Sequence, residues 1–183
     1  MSTARQLKRS ATTWLLSNIV DPGTKKPIAG CQRKALVTWN GIRVGMMGIV
    51  EDWLSMCSKI LPHEVEYVDM FETATTIRDE LRAQGAEVII AMTHCRTTVD
   101  EELADRVPGI DVILGGHDHF YSVYKSEITG VPMVKSGTDF KDLVRVSVGV
   151  CESVWVWVWV WVCDADVEAL DSDTVQHPVK KVA

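Results

Sequence analysis

Basic charge is scarce in this chain: 19 Lys and Arg stand against 25 Asp and Glu over 183 residues, a formal net charge of −6. Nucleic acid and anionic membrane both reward a basic face, so neither is expected as a partner. Small molecules and other proteins are the expected partners. The five cysteines, Cys31, Cys57, Cys95, Cys151 and Cys163, are odd in number and show no CxxC spacing. That argues against a disulfide framework or zinc ribbon and for a reducing compartment, with a cytoplasmic location expected. No apolar run approaches the ~20 residues of a membrane-spanning helix. The early run Trp14-Leu15-Leu16 is broken by Ser17 and Asn18, too short for a signal-peptide core, so secretion is not expected. Arg5, Lys8 and Arg9 precede the first acidic residue, Asp21, which leaves a mitochondrial presequence as the lesser alternative.

Apolar residues, by contrast, make up 46% of the chain, enough for one cored domain or a large piece of one. Trp14 to Val20 reads as a short buried strand and Asp21 to Pro27 as a polar turn. Lys34 to Trp39 and Ile42 to Val50 flank Asn40-Gly41, which predicts a hairpin with a type I′ turn. Met70, Ala74, Ile77 and Leu81 recur at helical spacing after Asp69 and Glu72, a capping-box variant, and before Gly85, a terminator. Ala86 to Met92 reads as a strand. Thr98 and Glu101 form a second capping box, opening a short helix that stops before Pro108-Gly109, and Asp111 to Gly115 is the next strand.

Strand, helix and strand in that order predict a βαβ unit, whose right-handed crossover puts both strand ends on one sheet edge. Three of the five histidines then meet there: His94 after the first strand, His117 and His119 in Gly115-Gly116-His117-Asp118-His119 after the second. Ligands in open α/β sheets bind outside the carboxyl ends of the strands, and neutral imidazole suits zinc and similar ions. His94, His117 and His119 are therefore the candidate metal ligands. Gly115 and Gly116 are expected to let the backbone turn tightly and approach the ion, and Asp118 to point elsewhere, orienting a ring. Arg96 could reach a bound phosphate or stand as a solvated surface arginine. Cys95 should face away from His94 by strand alternation, and His63 and His177 read as bystanders.

Beyond His119, Phe120 to Lys125, Pro132 to Ser136 and Leu143 to Val150 read as antiparallel strands of a second layer. Val154 to Val162 alternates valine and tryptophan without exception, so an extended segment puts valines on one face and tryptophans on the other. Slippage of a short coding repeat accounts for such regularity. An uncharged two-sided strand at an edge invites pairing, so self-association through Val154 to Val162 is expected.

On these residues the chain resembles the calcineurin-like metallophosphoesterase superfamily and, within it, the 5′-nucleotidase branch. The resemblance runs from about Trp14 to Val150. It is carried by Trp14-Leu15-Leu16-Ser17-Asn18, Trp39-Asn40-Gly41 leading into Val44-Gly45-Met46-Met47-Gly48, and Glu51-Asp52-Trp53-Leu54. Thr93-His94-Cys95-Arg96, the Gly-Gly-His-Asp-His stretch and Lys135-Ser136-Gly137-Thr138-Asp139-Phe140 follow in the family's order. It implies an α/β fold, a partial metallophosphoesterase-type β-sandwich flanked by helices, with the βαβ unit carrying the histidines. It also implies hydrolysis of a small phosphate ester, such as a nucleotide, by two divalent ions, zinc, manganese or similar, with His94 and His117 on one and His119 on the other.

The family's Asp-x-His, Gly-Asp and Gly-Asn-His-Glu motifs do not occur: neither Asn18 nor Asn40 precedes a histidine, and there is no Gly-Asp dipeptide. The chain is accordingly expected to be the C-terminal part of the catalytic domain over residues 1–150, followed by a low-complexity strand over 151–163 and an acidic, loosely ordered tail over 164–183. Without the anionic ligands of the missing motifs, two ions about 3.5–4 Å apart would repel each other, so the chain alone is expected to be inactive. Two other readings stay open. One is a non-catalytic remnant acting through self-association or a single metal; the other is a mononuclear zinc hydrolase built on the three histidines.

Overall fold

A computed structural model describes residues 13–56, 63–139, 142–151, 155–164 and 177–180. The chain divides into two compact units between Ala91 and Met92.

In the first unit the expected strand over Trp14 to Val20 shrinks to β1, Ile19–Val20. The reason lies in two buried polar residues just before it. Ser17 Oγ donates to the Arg33 carbonyl at 2.6 Å and accepts from the Gly48 amide at 2.9 Å. Asn18 Nδ2 donates to the Val50 carbonyl at 2.7 Å, while its Oδ1 accepts from the Val50 amide at 3.0 Å. Side chains thus satisfy backbone groups that a regular ladder would otherwise pair.

The hairpin forms as expected. β2, Lys34–Trp39, and β3, Ile42–Val50, pair antiparallel with Trp39 opposite Ile42. Asn40 (φ 52°) and Gly41 (φ 86°) between them take the positive φ that a type I′ turn requires. β4, Glu66–Tyr67, pairs with β1. Helix α1, Met70–Ala83, is capped by Asp69, whose carboxylate accepts from the amides of Phe71 and Glu72, both at 2.9 Å. Its buried stripe includes Met70, Ala74, Ile77 and Leu81. Strand β5, Val88–His94, begins in this unit, where the strand order is β2-β3-β5.

The second unit takes up β5 at Met92 and continues through helix α2, Thr97–Arg106, to β6, Val112–Gly115, β7, Tyr121–Lys125, and β8, Pro132–Ser136, in the order β5-β6-β8-β7. Its core holds Leu103, Val107, Ile110, Val112, Ile113 and Val131, all fully buried. β7 and β8 pair antiparallel as expected, but β8 is not in a second layer: it lies beside β6, parallel, with Ile113 opposite Met133 and Gly115 opposite Lys135. The continuous buried run from Val131 to Lys135 needs neighbours on both sides, and the partly exposed β7 takes the sheet edge instead.

A separate sheet in this unit has the order β11-β10-β9, with β9 at Asp142–Cys151, β10 at Trp155–Asp164 and β11 at His177–Lys180. Of the Val-Trp segment, Val154 lies outside the described residues and Trp155 to Val162 is extended, as its alternation predicts. It is not an open edge: β9 pairs along one side from Trp155 to Asp164, and β11 pairs along the other from Trp157 to Val160. The assignment of valines and tryptophans to opposite faces, Cys57, and residues 165–176 and 181–183 of the tail lie outside the described residues. Among the described residues, no helix is long and apolar enough to cross a membrane.

Candidate metal and active site

The site lies wholly in the second unit, at the ends of β5 and β6. His94 closes β5 and is exposed, whereas Cys95 beside it is fully buried, so alternation sends the thiol away from the histidine face. His117 follows Gly115, the last residue of β6, and Gly116. His94 Nε2 and His117 Nδ1 are 3.4 Å apart, and the rings meet edge to face with centroids 5.3 Å apart and planes at 79°. Burial pushes the His94 imidazole below its ordinary value, and His117 beside it pushes in the same direction. His94 is thereby held toward the neutral form, the form that binds a metal.

This separation permits a test of fit. Two nitrogens bound to one tetrahedral zinc at about 2.0–2.1 Å stand about 3.4 Å apart. The pair therefore fits as two donors of one ion. His119 is exposed, and its charge bears on His94 without closing a set. Among the described residues, no group of three His, Cys, Asp or Glu side chains converges as a metal cage. The structure thus joins His94 with His117 and leaves His119 apart. His63 is exposed in a turn of the first unit, and Arg96 is exposed at the N-cap position of α2.

Three local expectations are corrected. The turn at the site is not made by glycine: His117 itself has the positive φ, 75°, and neither Gly115 nor Gly116 does. The glycines are there for space. A Cβ at Gly115 would lie 2.7 Å from Asp100 Oδ2, and one at Gly116 would lie 3.2 Å from the Thr93 carbonyl and 3.5 Å from His94 Nδ1. Helix α2 begins at Thr97, not after a Thr98 cap, and no side chain of its own N-cap residue closes it. Asp118 does so from 21 residues away, accepting from the Thr97 amide at 2.8 Å and the Thr97 hydroxyl at 2.7 Å. Asp118 thus braces a helix end. Burial alone would raise its carboxyl, but Lys135 and Thr97 outweigh burial and hold it below its ordinary value.

Sequence reasoning passed over Lys135, which is 1% exposed in β8. Its ammonium donates to the carbonyls of Cys95 at 2.7 Å and Gly116 at 2.8 Å. It also lies 2.9 Å from a carboxylate oxygen of both Asp100 and Asp118. Asp100 is fully buried; burial pushes its carboxyl up, against the pull of Thr93 and Lys135. The signal in the sequence was a lysine directly following an apolar run, Val131 to Val134, within one strand-like segment, since a charge buried there requires a counter-charge.

The mixed α/β sheet flanked by helices is a fold shared with solved phosphoesterases. The 5′-nucleotidase precursor of Thermus thermophilus superposes with a TM-score of 0.67 at 25% identity, covering 97% of this chain and 36% of that one. In sequence, the trifunctional nucleotide phosphoesterase protein YfkN of Bacillus subtilis is 29% identical over 55% of this chain and 9% of its own. The crystal structure of the calcineurin-like phosphoesterase YfkN superposes with a TM-score of 0.64, covering 95% of this chain and 57% of that one. The 5′-nucleotidase of Diplobatis ommata is 30% identical over 51% of this chain and 16% of its own. No protein-family model matches. The chain is thus similar in sequence and fold to 5′-nucleotidases and other nucleotide phosphoesterases. It spans only a small part of the curated relatives it matches, 9% of YfkN and 16% of the Diplobatis enzyme.

Proposed function

We propose that this chain carries the histidine-bearing part of a metal-dependent phosphoester hydrolase of 5′-nucleotidase type, with a small phosphate ester such as a nucleotide as substrate. The observation that carries the proposal is the 3.4 Å separation of His94 Nε2 and His117 Nδ1 at the ends of adjacent strands. These two residues would hold one divalent ion, zinc or manganese, and His119 offers a donor toward a second. Bound there, such ions polarise phosphoryl oxygens and lower the pKa of a bound water. Partial burial biases the His94 ring toward its neutral form, and His117 Nδ1 stands 3.4 Å from its Nε2.

Because only two donors converge among the described residues, the second reading is a protein that binds a single metal and does not catalyse. Calorimetric titration of zinc into the chain separates these from a purely structural histidine pair. We expect one site per chain in the parent and its loss in both His94→Ala and His117→Ala. No binding by the parent, or equal binding by all three, would sink the proposal. The chain alone is expected to turn over an aryl phosphate negligibly with manganese or zinc. Robust turnover that vanishes in His117→Ala would show that the chain is catalytically competent by itself and would exclude the non-catalytic binder.

A further inference from the structure

We infer that Lys135 is the positioning residue of the histidine pair, a buried ammonium that fixes where His94 and His117 stand relative to each other. The inference rests on the metal-site reading of that pair. Its basis is the identity of the four groups around the nitrogen. The Cys95 carbonyl directly follows His94, the Gly116 carbonyl directly precedes His117, and Asp118 directly follows His117. Asp100, the fourth, reaches the strand end from α2: its other oxygen accepts from the Thr93 hydroxyl at 2.6 Å, one residue before His94. The Gly116 amide donates to the Thr93 carbonyl at 2.8 Å and closes the ring of contacts. The ammonium thus meets the backbone after His94 and before His117 directly, the residue after His117 through its carboxylate, and the residue before His94 by way of Asp100.

The surroundings are built for a lysine. An ammonium carries three donors that can serve separate acceptors, whereas a guanidinium is a rigid planar fork. Gly115 leaves room for the side chain: a Cβ there would stand 3.2 Å from both Cγ and Cε of Lys135. One cation faces two carboxylates and two carbonyls with almost no solvent. Apolar residues of similar volume commonly replace such buried clusters without loss of stability, so retaining the charges calls for a role beyond packing.

The test is made on two variants. In Lys135→Met/Asp100→Leu the two fully buried charges leave together, while Asp118, whose side chain is 20% exposed, loses its cation but keeps its bonds from Thr97. In Gly115→Ala all charges stay, and the added Cβ, 2.7 Å from Asp100 Oδ2 and 3.2 Å from Cγ and Cε of Lys135, displaces the Lys135–Asp100 pair. Circular dichroism establishes that each variant folds. In the metal-free chain at pH 8, the imidazole ¹⁵N resonances of His94 and His117 are compared with those of His63. Cobalt affinity is measured separately by absorption titration. We expect the His94 and His117 resonances to move in both variants while His63 does not, and cobalt affinity to fall about 10- to 100-fold, the usual effect of losing a partner that orients a ligand. Folded variants with unmoved resonances would overturn the positioning role. Resonances that move in a chain whose parent binds no cobalt or zinc would support the positioning role while overturning the metal reading.

Discussion

His117 concentrates the local chemistry of the site in one residue. It is a non-glycine at φ 75°, preceded by two glycines that do not use their own conformational freedom. An L-residue in that region costs about 1 kcal/mol relative to glycine. Such strain is often found at functional sites, which agrees with the ligand role proposed for the His117 ring. His117→Gly and His117→Ala both remove the ring, so their difference reads the backbone alone. In urea unfolding of the metal-free chain, we expect the glycine variant to be more stable than the alanine variant by about 1 kcal/mol. Equal stability, or a more stable alanine variant, would show that the bend is unstrained. The histidines themselves were readable from sequence because they follow apolar runs. The cause of the glycines was not, because it lies in Asp100, Lys135 and Thr93, which come together only in the fold.

At the scale of elements, the hairpin and α1 were readable because their determinants are local: Asn40-Gly41 for the turn, Asp69 and the four-residue apolar spacing for the helix. The start of α2 and the place of β8 were not, because Asp118 caps from a distant loop and β6 claims β8 as a parallel neighbour. A similar long-range tie joins α1 to the start of β2. Glu80 accepts from Arg33 at 2.9 and 3.0 Å and also from Lys34. Lys34 and Arg33 hold the Glu80 carboxyl below its ordinary 4.5. A lowered carboxyl stabilises the fold fully above the unfolded value, and that contribution disappears as pH falls through the folded one. Glu80 is 36% exposed, so solvent limits the effect to under about 1 kcal/mol. In thermal melts, Glu80→Gln should lie slightly below the parent at pH 7 and converge with it as pH falls below 4.5. A gap that persists unchanged in acid would mean the tie is not ionic.

For the molecule as a whole, we expect the pairing of the Val-Trp strand to govern whether chains associate. Its alternation made an extended strand predictable, and nothing in the segment itself indicated what would cover its sides. Within the described residues, β10 is paired by β9 on one side and by β11 on the other over Trp157 to Val160. β11 then stands at the edge, and it carries the residues that discourage further pairing. Pro178, opposite Trp159, offers no amide, and Lys180 adds a charge. Deleting residues 177–180 would hand the edge to β10, whose backbone groups and uncharged alternating sequence would be open to another chain. Light scattering over a range of concentrations should then find the deleted chain associating more strongly than the parent. Inserting a lysine in the deleted chain, Trp159→Lys, should reverse that association. If the deleted and parent chains scatter alike, β11 does not protect the edge, and any association must arise elsewhere on the molecule.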